Sequence, residues 1–301
     1  MKRVLLTGAT GFIGSHCIEP LLARGYEVHA VSSRAQTGSQ PGLASWHQAD
    51  LFKADDVTRL LAAVRPSHLL HLAWYVVPGK LISSPENFPW VTSSLELVRQ
   101  FTEQGGTRLV VSGSGYEYDW RYGYCSEKLT PAAPDTVYGS CKQALNLLIQ
   151  SFGAQAKVST AWGRVFFLYG PREHPDRLVS SVIRSLLAGQ PARCSHGRQI
   201  RDYMHVQDVA EGLVALLDSG VEGAVNVSSG QATTLREIVL TIGRLTNQTD
   251  LIQLGAIPAR ANDAPLVVGE NVRMLSEVAW APRFDLESGL RDTIAWWRAQ
   301  N

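Results

Sequence analysis

The sequence predicts an α/β protein in which a doubly wound parallel sheet carries a smaller C-terminal lobe. Short apolar segments alternate with helical patterns through the first 167 residues, and this order builds a parallel sheet with helices on both faces. A glycine-rich turn joins the first strand to the first helix. After Tyr169 the regular alternation stops, which indicates a second, smaller unit.

The first part of the chain supplies most of the predicted sheet. Short apolar runs predict strands at residues 2–7, 27–31, 45–49, 69–72, 108–112 and 159–167. Apolar residues at helical spacing predict helices at about residues 12–24, 54–64, 90–104 and 137–152.

The second part mixes elements of the sheet with elements of the lobe. Helices are expected at residues 176–188, 206–217 and 235–246, and residues 191–203 are irregular with one predicted strand. Residues 224–227 are expected to return to the main sheet as a strand. We therefore assign residues 1–165, with returning elements near 206–246, to the sheet domain, and residues 166–205 and 247–301 to the lobe.

Composition argues against several classes of protein. The formal net charge is +1, so no basic excess indicates a nucleic-acid surface. No run approaches the roughly 20 apolar residues that span a bilayer, and the first residues lack the pattern of a signal peptide. The four cysteines show no metal-type spacing. We expect a cytoplasmic protein without a bound metal.

The turn after the first strand contains Gly8, Gly11 and Gly14 in Gly-x-x-Gly-x-x-Gly spacing. Glycines in such a strand–turn–helix unit allow a tight turn, close approach of a pyrophosphate and close packing of the helix on the strand. The free N–H groups and the positive dipole end of the helix then bind the pyrophosphate. The unit therefore predicts a dinucleotide cofactor.

Residues 4–14 resemble the opening of the extended short-chain dehydrogenase/reductase family, which includes nucleotide-sugar epimerases, dehydratases and ketoreductases. The resemblance covers nearly the whole chain and is weakest at residues 74–90. It implies a Rossmann-type domain, an adenine contact at Asp50 and Leu51, and a nicotinamide contact at Leu72 and Ala73. The cofactor-binding residues that we expect in the turn are Gly8, Thr10, Gly11, Phe12, Ile13 and Gly14.

The end of the second strand indicates which nicotinamide cofactor is used. NAD-binding proteins usually carry an acidic residue there for the ribose 2′-hydroxyl. This strand ends Ser32-Ser33-Arg34, and an arginine fork pairs well with the 2′-phosphate of NADP. The missing acid favours NADP(H), with Ser33 and Arg34 as contacts, and NAD(H) is the alternative.

Two Tyr-x-x-x-Lys matches compete for the catalytic role. Tyr124 and Lys128 lie among glycine and prolines, whereas Tyr138 and Lys142 open a predicted helix, where this spacing puts both side chains on one face. We therefore choose Tyr138 and Lys142. The tyrosine hydroxyl would protonate the alkoxide that forms when hydride reaches a ketone, and the ammonium is expected to lower the tyrosine pKa from ~10 towards the working pH. By resemblance, Lys142 also holds the nicotinamide ribose.

A serine at the end of the fifth strand completes the expected catalytic set. Ser114 matches the family's catalytic Ser/Thr position and would orient the carbonyl, with Ser112 as the fallback. Dehydratase relatives carry an Asp-Glu pair directly after this position, where this chain has Gly115 and Tyr116. This difference argues against dehydration. We interpret Glu117, one step later, as a loop residue.

Two arginines are expected to bind the substrate. In nucleotide-sugar members of the family, the residues that match Arg201 and Arg260 hold the substrate diphosphate by charge-assisted pairing, and Ser114 and Tyr138 contact the sugar. Phe167 stands where relatives usually have asparagine, so one polar contact is missing. Aromatic residues flank the expected site and serve either as a stacking wall or as packing: Trp74, Tyr75, Trp120 and Tyr122.

The function that these features favour is NADPH-dependent reduction of a 4-keto group on a nucleoside-diphosphate hexose. An epimerase with tightly bound NAD uses the same residues and is the first alternative. Reduction of a non-nucleotide carbonyl compound is the second, and a cofactor-sensing protein without turnover is the third. The resemblance also implies a homodimer formed through the helices at residues 90–104 and 137–152.

Overall fold

In the computed structural model, which describes residues 2–35, 44–259, 261 and 263–300, strands and helices alternate up to residue 165. These elements are β1 (Arg3–Thr7), α1 (Gly14–Ala23), β2 (Glu27–Ser32), β3 (Ser45–Gln48), α2 (Ala54–Val64), β4 (His68–His71), α3 (Asn87–Glu103), β5 (Arg108–Ser114), β6 (Tyr124–Cys125), α4 (Val137–Ala156) and β7 (Ser159–Val165). Two short 3₁₀ helices, Gly115–Glu117 and Trp120–Tyr122, follow β5.

Shorter strands dominate the rest of the described chain. Its elements are β8 (Phe167–Tyr169), α5 (Leu178–Leu187), β9 (Ala192–Cys194), β10 (Ile200–Arg201), β11 (Tyr203–His205), α6 (Val206–Asp218), β12 (Gly223–Val227), β13 (Thr233–Thr234), α7 (Leu235–Thr246), β14 (Ile252–Leu254), β15 (Leu266–Gly269), α8 (Val272–Ser276) and α9 (Leu286–Arg298). A third 3₁₀ helix, Thr249–Leu251, precedes β14.

Seven parallel strands form the main sheet in the order β12-β7-β5-β4-β1-β2-β3. The predicted fold class is confirmed, and β12 returns to the sheet beside β7 as expected. The strand order reverses at β1, which lies between β4 and β2. Open α/β sheets bind their ligands outside the carboxyl ends of the strands at such a reversal.

Several element boundaries differ from the prediction for local reasons. Strand β5 continues to Ser114 because Ser114 still pairs with Val165 of β7. The strand predicted at residues 159–167 divides into two, because residues from Phe167 onward leave the main sheet and pair with β11. Helix α4 continues to Ala156 and ends where Lys157 adopts a left-handed conformation, with φ of 58°.

Apolar cores cover both faces of the sheet and fill the lobe. Helices α1 and α6 pack on one face, and α2, α3 and α4 pack on the other. A separate core joins α5, α7 and α9, so the side chains of α7 pack with those of the lobe helices. The division into domains stays a prediction. No helix in the described ranges has both the length and the apolar character that a membrane crossing requires.

Candidate functional site

A cavity of about 1260 Å³ opens at the carboxyl edge of the main sheet, next to the reversal at β1. It extends from the glycine turn to the segment between β8 and α5. The following expected cofactor and catalytic residues line it: Gly8, Thr10, Gly11, Phe12, Ile13, Gly14, Ser33, Asp50, Leu51, Leu72, Ala73, Ser114, Tyr138 and Lys142. Arg34 and Arg201 are not among the lining residues, and Arg260 lies outside the described residues.

The glycine turn has the geometry that a bound pyrophosphate needs. Gly8 has φ of +69°, and a Cβ there would lie 2.8 Å from the backbone nitrogen of Ala73. A Cβ at Gly14 would lie 2.1 Å from the carbonyl oxygen of Gly8. Only glycine fits both positions, so the turn packs directly on the backbone that follows β4, and the start of α1 lies at the cavity wall. The residues present therefore fit a dinucleotide.

The end of β2 presents hydroxyl groups to the cavity. Ser32 and Ser33 line it, and the Ser32 hydroxyl accepts a hydrogen bond from the backbone N–H of Arg34 at 3.1 Å. The sequence has no acidic residue between Glu27 and Asp50. Asp50 lines the cavity after β3, and its carboxylate accepts a hydrogen bond from the backbone N–H of Phe52.

The start of α4 orients Tyr138 and Lys142 into the cavity. Thr136 caps the helix by accepting the N–H of Gly139 at 3.1 Å. A Cβ at Gly139 would lie 2.2 Å from the carbonyl oxygen of Tyr116, so α4 packs directly on the turn that follows Ser114. The competing Tyr124 lies on β6, is 49% exposed and does not line the cavity.

Burial controls the protonation of both catalytic candidates. The Lys142 Nζ donates a hydrogen bond to the Ser112 carbonyl at 2.8 Å, and burial lowers the pKa of Lys142 to about 7, opposed by the Glu117 carboxylate. Burial raises the pKa of the Tyr138 phenol, opposed by a hydrogen bond with Ser114. The expected fall of the Tyr138 pKa is therefore contradicted, because burial is the largest influence on this phenol and raises its pKa. A raised pKa favours the neutral phenol, which can donate a proton.

Glu117 holds the backbone of Ser114 in place by a hydrogen bond. Its carboxylate accepts the Ser114 N–H at 2.7 Å and the Trp162 indole N–H at 2.9 Å, and it forms a fully buried ion pair with Arg164 at 2.8 Å. The interpretation of Glu117 as a loop residue is wrong, since it ends a 3₁₀ helix and is completely buried. Trp162 and Arg164 are two residues apart on β7, so their side chains point to the same face of the sheet. Two hydrogen-bond donors on one buried face are a sequence signal for a buried acid.

The structure uses Arg201 for an internal ion pair. Its guanidinium lies 2.6 Å from the Asp263 carboxylate and donates to the Ile200 carbonyl, and its side chain is 4% exposed. Binding of the substrate diphosphate by Arg201 stays a prediction. Sequence reasoning missed the cations that do line the lobe side of the cavity, Arg172 and Arg177, which closely follow the Tyr169-Gly170-Pro171 segment.

Aromatic residues line the cofactor side of the cavity. Trp74 and Tyr116 belong to the lining, together with Phe52 and Trp90, which the sequence did not single out. The other aromatic residues that we expected to flank the site lie behind this wall, where they serve packing or reach solvent: Tyr75, Trp120 and Tyr122. The Trp120 indole N–H donates to the Gly115 carbonyl at 2.7 Å, which fixes the turn after Ser114.

A dinucleotide cradle at the edge of a parallel sheet, next to a tyrosine, a lysine and a serine, defines a nicotinamide-dependent enzyme of the short-chain dehydrogenase/reductase type. Residues 4–228 match the model of the NAD dependent epimerase/dehydratase family. The chain belongs to this family. The resemblance inferred from the sequence is therefore confirmed.

Relatives that match nearly the whole of this chain are named as enzymes of nucleotide sugars. The chain is 28% identical to a UDP-glucose 4-epimerase of Mycolicibacterium smegmatis, with 98% of each protein covered. It is 27% identical to UDP-glucuronic acid decarboxylase 1 of Xenopus tropicalis, with 99% of this chain and 73% of the relative covered. The solved structure of MoeE5 in complex with UDP-glucose and NAD is 30% identical, covers 100% of this chain and 99% of its own, and superposes with a TM-score of 0.85.

Proposed function

We propose that the protein reduces the 4-keto group of a nucleoside-diphosphate hexose, with NADPH as the reductant. One observation carries the proposal. Ser114, Tyr138 and Lys142 line the cavity beside the glycine turn, whereas Glu117 is buried behind Ser114 in an ion pair with Arg164. The three lining residues suffice for hydride transfer coupled to protonation. A dehydratase needs a further acid–base pair next to Ser114, and Glu117 is not available for that role.

Three side chains divide the work of the reduction. NADPH, when bound, supplies the hydride that reduces the carbonyl carbon. The neutral Tyr138 phenol donates its proton to the carbonyl oxygen, which becomes the alcohol, and the Ser114 hydroxyl donates a hydrogen bond that orients this oxygen. The Lys142 ammonium stabilises the phenolate that remains, because opposite charges attract strongly in a buried site. A solvent proton then restores the phenol.

The preference for NADPH is supported by the end of β2. Ser33 lines the cavity there and the acidic residue typical of NAD-binding proteins is missing. Arg34 follows directly and would pair with the 2′-phosphate.

The nucleotide-sugar substrate is supported by the relatives and by the charge of the cavity. The named relatives act on UDP-sugars, and MoeE5 binds UDP-glucose. Arg172 and Arg177 give the lobe side of the cavity positive charge. Arg201 and Arg260 remain our expected diphosphate ligands. For Arg201, this role would compete with the Asp263 ion pair.

A second candidate is a 4-epimerase with tightly bound NAD. Its support is that UDP-glucose 4-epimerases are among the relatives that match the chain over nearly its full length. The two candidates differ in the fate of the cofactor, because a reductase consumes NADPH, whereas an epimerase returns the hydride to the same sugar. NAD that remains bound through purification would favour the epimerase.

We also propose a homodimer formed through α3 and α4. Helix α4 exposes two large apolar side chains, Leu147 at 61% and Leu148 at 50%. Light scattering of the wild type and of the Leu147→Glu variant tests this proposal. The expected result is a dimer that the charge disrupts, and a monomeric wild type would refute it.

The decisive experiment follows NADPH absorbance with a panel of UDP-, dTDP-, GDP- and CDP-linked 4-keto-hexoses and of carbonyl compounds that lack a nucleotide. We expect stoichiometric, sugar-dependent oxidation by the wild type and none by the Tyr138→Phe variant, which keeps the ring and should still bind NADPH. Tyr138→Phe turnover at the wild-type rate would remove the catalytic assignment. Oxidation only with carbonyl compounds that lack a nucleotide would refute the substrate class.

A further inference from the structure

Trp74 lies against the catalytic ammonium in the segment where resemblance to the family is weakest. The Lys142 Nζ is 3.8 Å from the centroid of the Trp74 ring, well inside the distance at which a cation interacts with an aromatic face. A second indole, Trp162, lies 5.9 Å from the same nitrogen. Trp74 is buried and lines the cavity.

A fully buried asparagine holds the Trp74 ring in this position. The indole N–H donates to the Asn87 side-chain oxygen at 2.8 Å. The Asn87 amide in turn donates to the carbonyls of Leu81 at 2.8 Å and Ser84 at 2.9 Å. Asn87 is 0% exposed, so solvent does not compete for these bonds. The hydrogen bonds fix the plane of the indole and tie it to the segment that closes this side of the cavity.

We propose that Trp74 is a positioning residue for Lys142, and that its indole face binds the ammonium and holds Nζ at the Ser112 carbonyl, ready for proton transfer at Tyr138. The inference rests on the proposed role of Lys142 in the reaction. It gives a function to residues 74–90, the segment after β4, which would place the Trp74 ring and hold it in position.

The physical need for the ring comes from the burial of the ammonium. Lys142 is 3% exposed and has one hydrogen-bond acceptor in the described structure, the Ser112 carbonyl. Tryptophan has the strongest attraction for cations among the aromatic side chains, and the attraction grows when the cation is desolvated. Without the ring, the buried ammonium would lose part of what compensates for its lost hydration.

The titratable groups that interact with the Lys142 charge are His71 on β4 and Glu117 after β5, and Tyr138 lies one helical turn before Lys142 on α4. His71 is held between the hydroxyls of Thr7 and Ser94, and its burial lowers its pKa to about 3. The pKa of Tyr138 is raised. A titration near neutral pH therefore reports on Lys142 rather than on these two neighbours.

The test is a carbon-13 spectrum of protein labelled at the lysine ε carbons. The sequence has six lysines, so the spectrum is simple, and Lys142→Arg identifies the Lys142 signal by its loss. We expect this signal to be shifted upfield by the ring current of Trp74. Trp74→Leu should return it to the position of an ordinary lysine, whereas Trp74→Phe should keep part of the shift. Trp90→Leu, which removes the neighbouring indole 6.2 Å from Trp74, should preserve it.

A titration and a kinetic measurement complete the test. In Trp74→Leu the pKa of Lys142 should fall further, and kcat should drop about 2- to 30-fold, with a smaller loss in Trp74→Phe. An unshifted Lys142 signal in the wild type would overturn the inference, as would a Lys142 pKa that rises in Trp74→Leu. If the signal depends on Trp74 but no 4-keto sugar is reduced, the positioning role stands and the proposed reaction fails. If a 4-keto sugar is reduced but the Lys142 signal is not shifted, the proposed reaction stands and the positioning role of Trp74 fails.

Discussion

The ion pair beneath Ser114 gives the sharpest test of how the site is built. Glu117→Gln keeps the shape of the side chain but removes the charge that faces Arg164, whose side chain is 5% exposed. Removing one partner of a buried pair costs about 3–5 kcal/mol, because the other charge is left without compensation. The glutamine oxygen can still accept one of the bonds from Arg164 and Trp162, so we expect a loss of about 3 kcal/mol.

The loss is measured by urea unfolding, followed by tryptophan fluorescence. A matched control is Arg121→Gln, which breaks an ion pair with Asp119 in which the arginine is 88% exposed. An exposed pair contributes about 0–1 kcal/mol, so the control should unfold close to the wild-type midpoint. Equal midpoints for Glu117→Gln and the wild type would refute the reasoning.

The same substitution should also change catalysis, because the Glu117 carboxylate raises the pKa of Lys142 and holds the Ser114 N–H. We expect a lower kcat and a pH profile that shifts towards acid. Unchanged kinetics in a destabilised variant would show that Glu117 serves stability alone.

Three further predictions follow from the charges at the site. Reduction should slow as the pH rises through about 7, since Lys142 then loses its charge; a flat profile of kcat/KM between pH 6 and 9 would contradict this. Arg34→Ala should weaken NADPH binding far more than NADH binding in fluorescence titrations, because only NADPH carries the 2′-phosphate; equal losses would remove the argument for NADP. Burial lowers the pKa of His71 to about 3, whereas an unfolded histidine titrates near ~6.5, so the unfolded state binds the extra proton and stability should fall as the pH drops from about 6.5 towards 3. Equal urea midpoints at pH 7 and pH 4.5 would exclude a contribution from His71.

Local sequence patterns were sufficient to predict the main sheet and the cofactor edge. The spacing of apolar residues predicts a helix at residues 54–64, which are the observed bounds of α2. The glycine spacing predicts the turn after β1. The context of each Tyr-x-x-x-Lys match separated Tyr138 from Tyr124, because only one match begins a helix that faces the cavity. These features depend on neighbours a few residues apart, which a sequence displays directly.

Contacts between distant residues were not predictable in the same way. Glu117 pairs with a residue 47 positions away, and Trp74 meets Lys142 only because the fold brings the segment after β4 to the start of α4. The family pattern did not help, since Trp74 falls where the resemblance is weakest. The ion pair between Arg201 and Asp263 likewise depends on how the lobe packs. The sequence around Arg201 does not show that this pair forms.

The balance of charges around Ser114 bears on the direction of the reaction. Arg164 is always protonated and pairs with Glu117, so this pair has no net charge and compensates only partly for the burial of Lys142. The pKa of Lys142 consequently falls to about 7, while burial raises the pKa of Tyr138 and keeps its phenol protonated. A protonated phenol is ready to complete a reduction. An epimerase must begin by taking a proton from the sugar hydroxyl, which requires the phenolate. A neutral phenol suits the proposed reduction, whereas the epimerase alternative requires that the positively charged nicotinamide ring of bound NAD lowers the pKa of Tyr138.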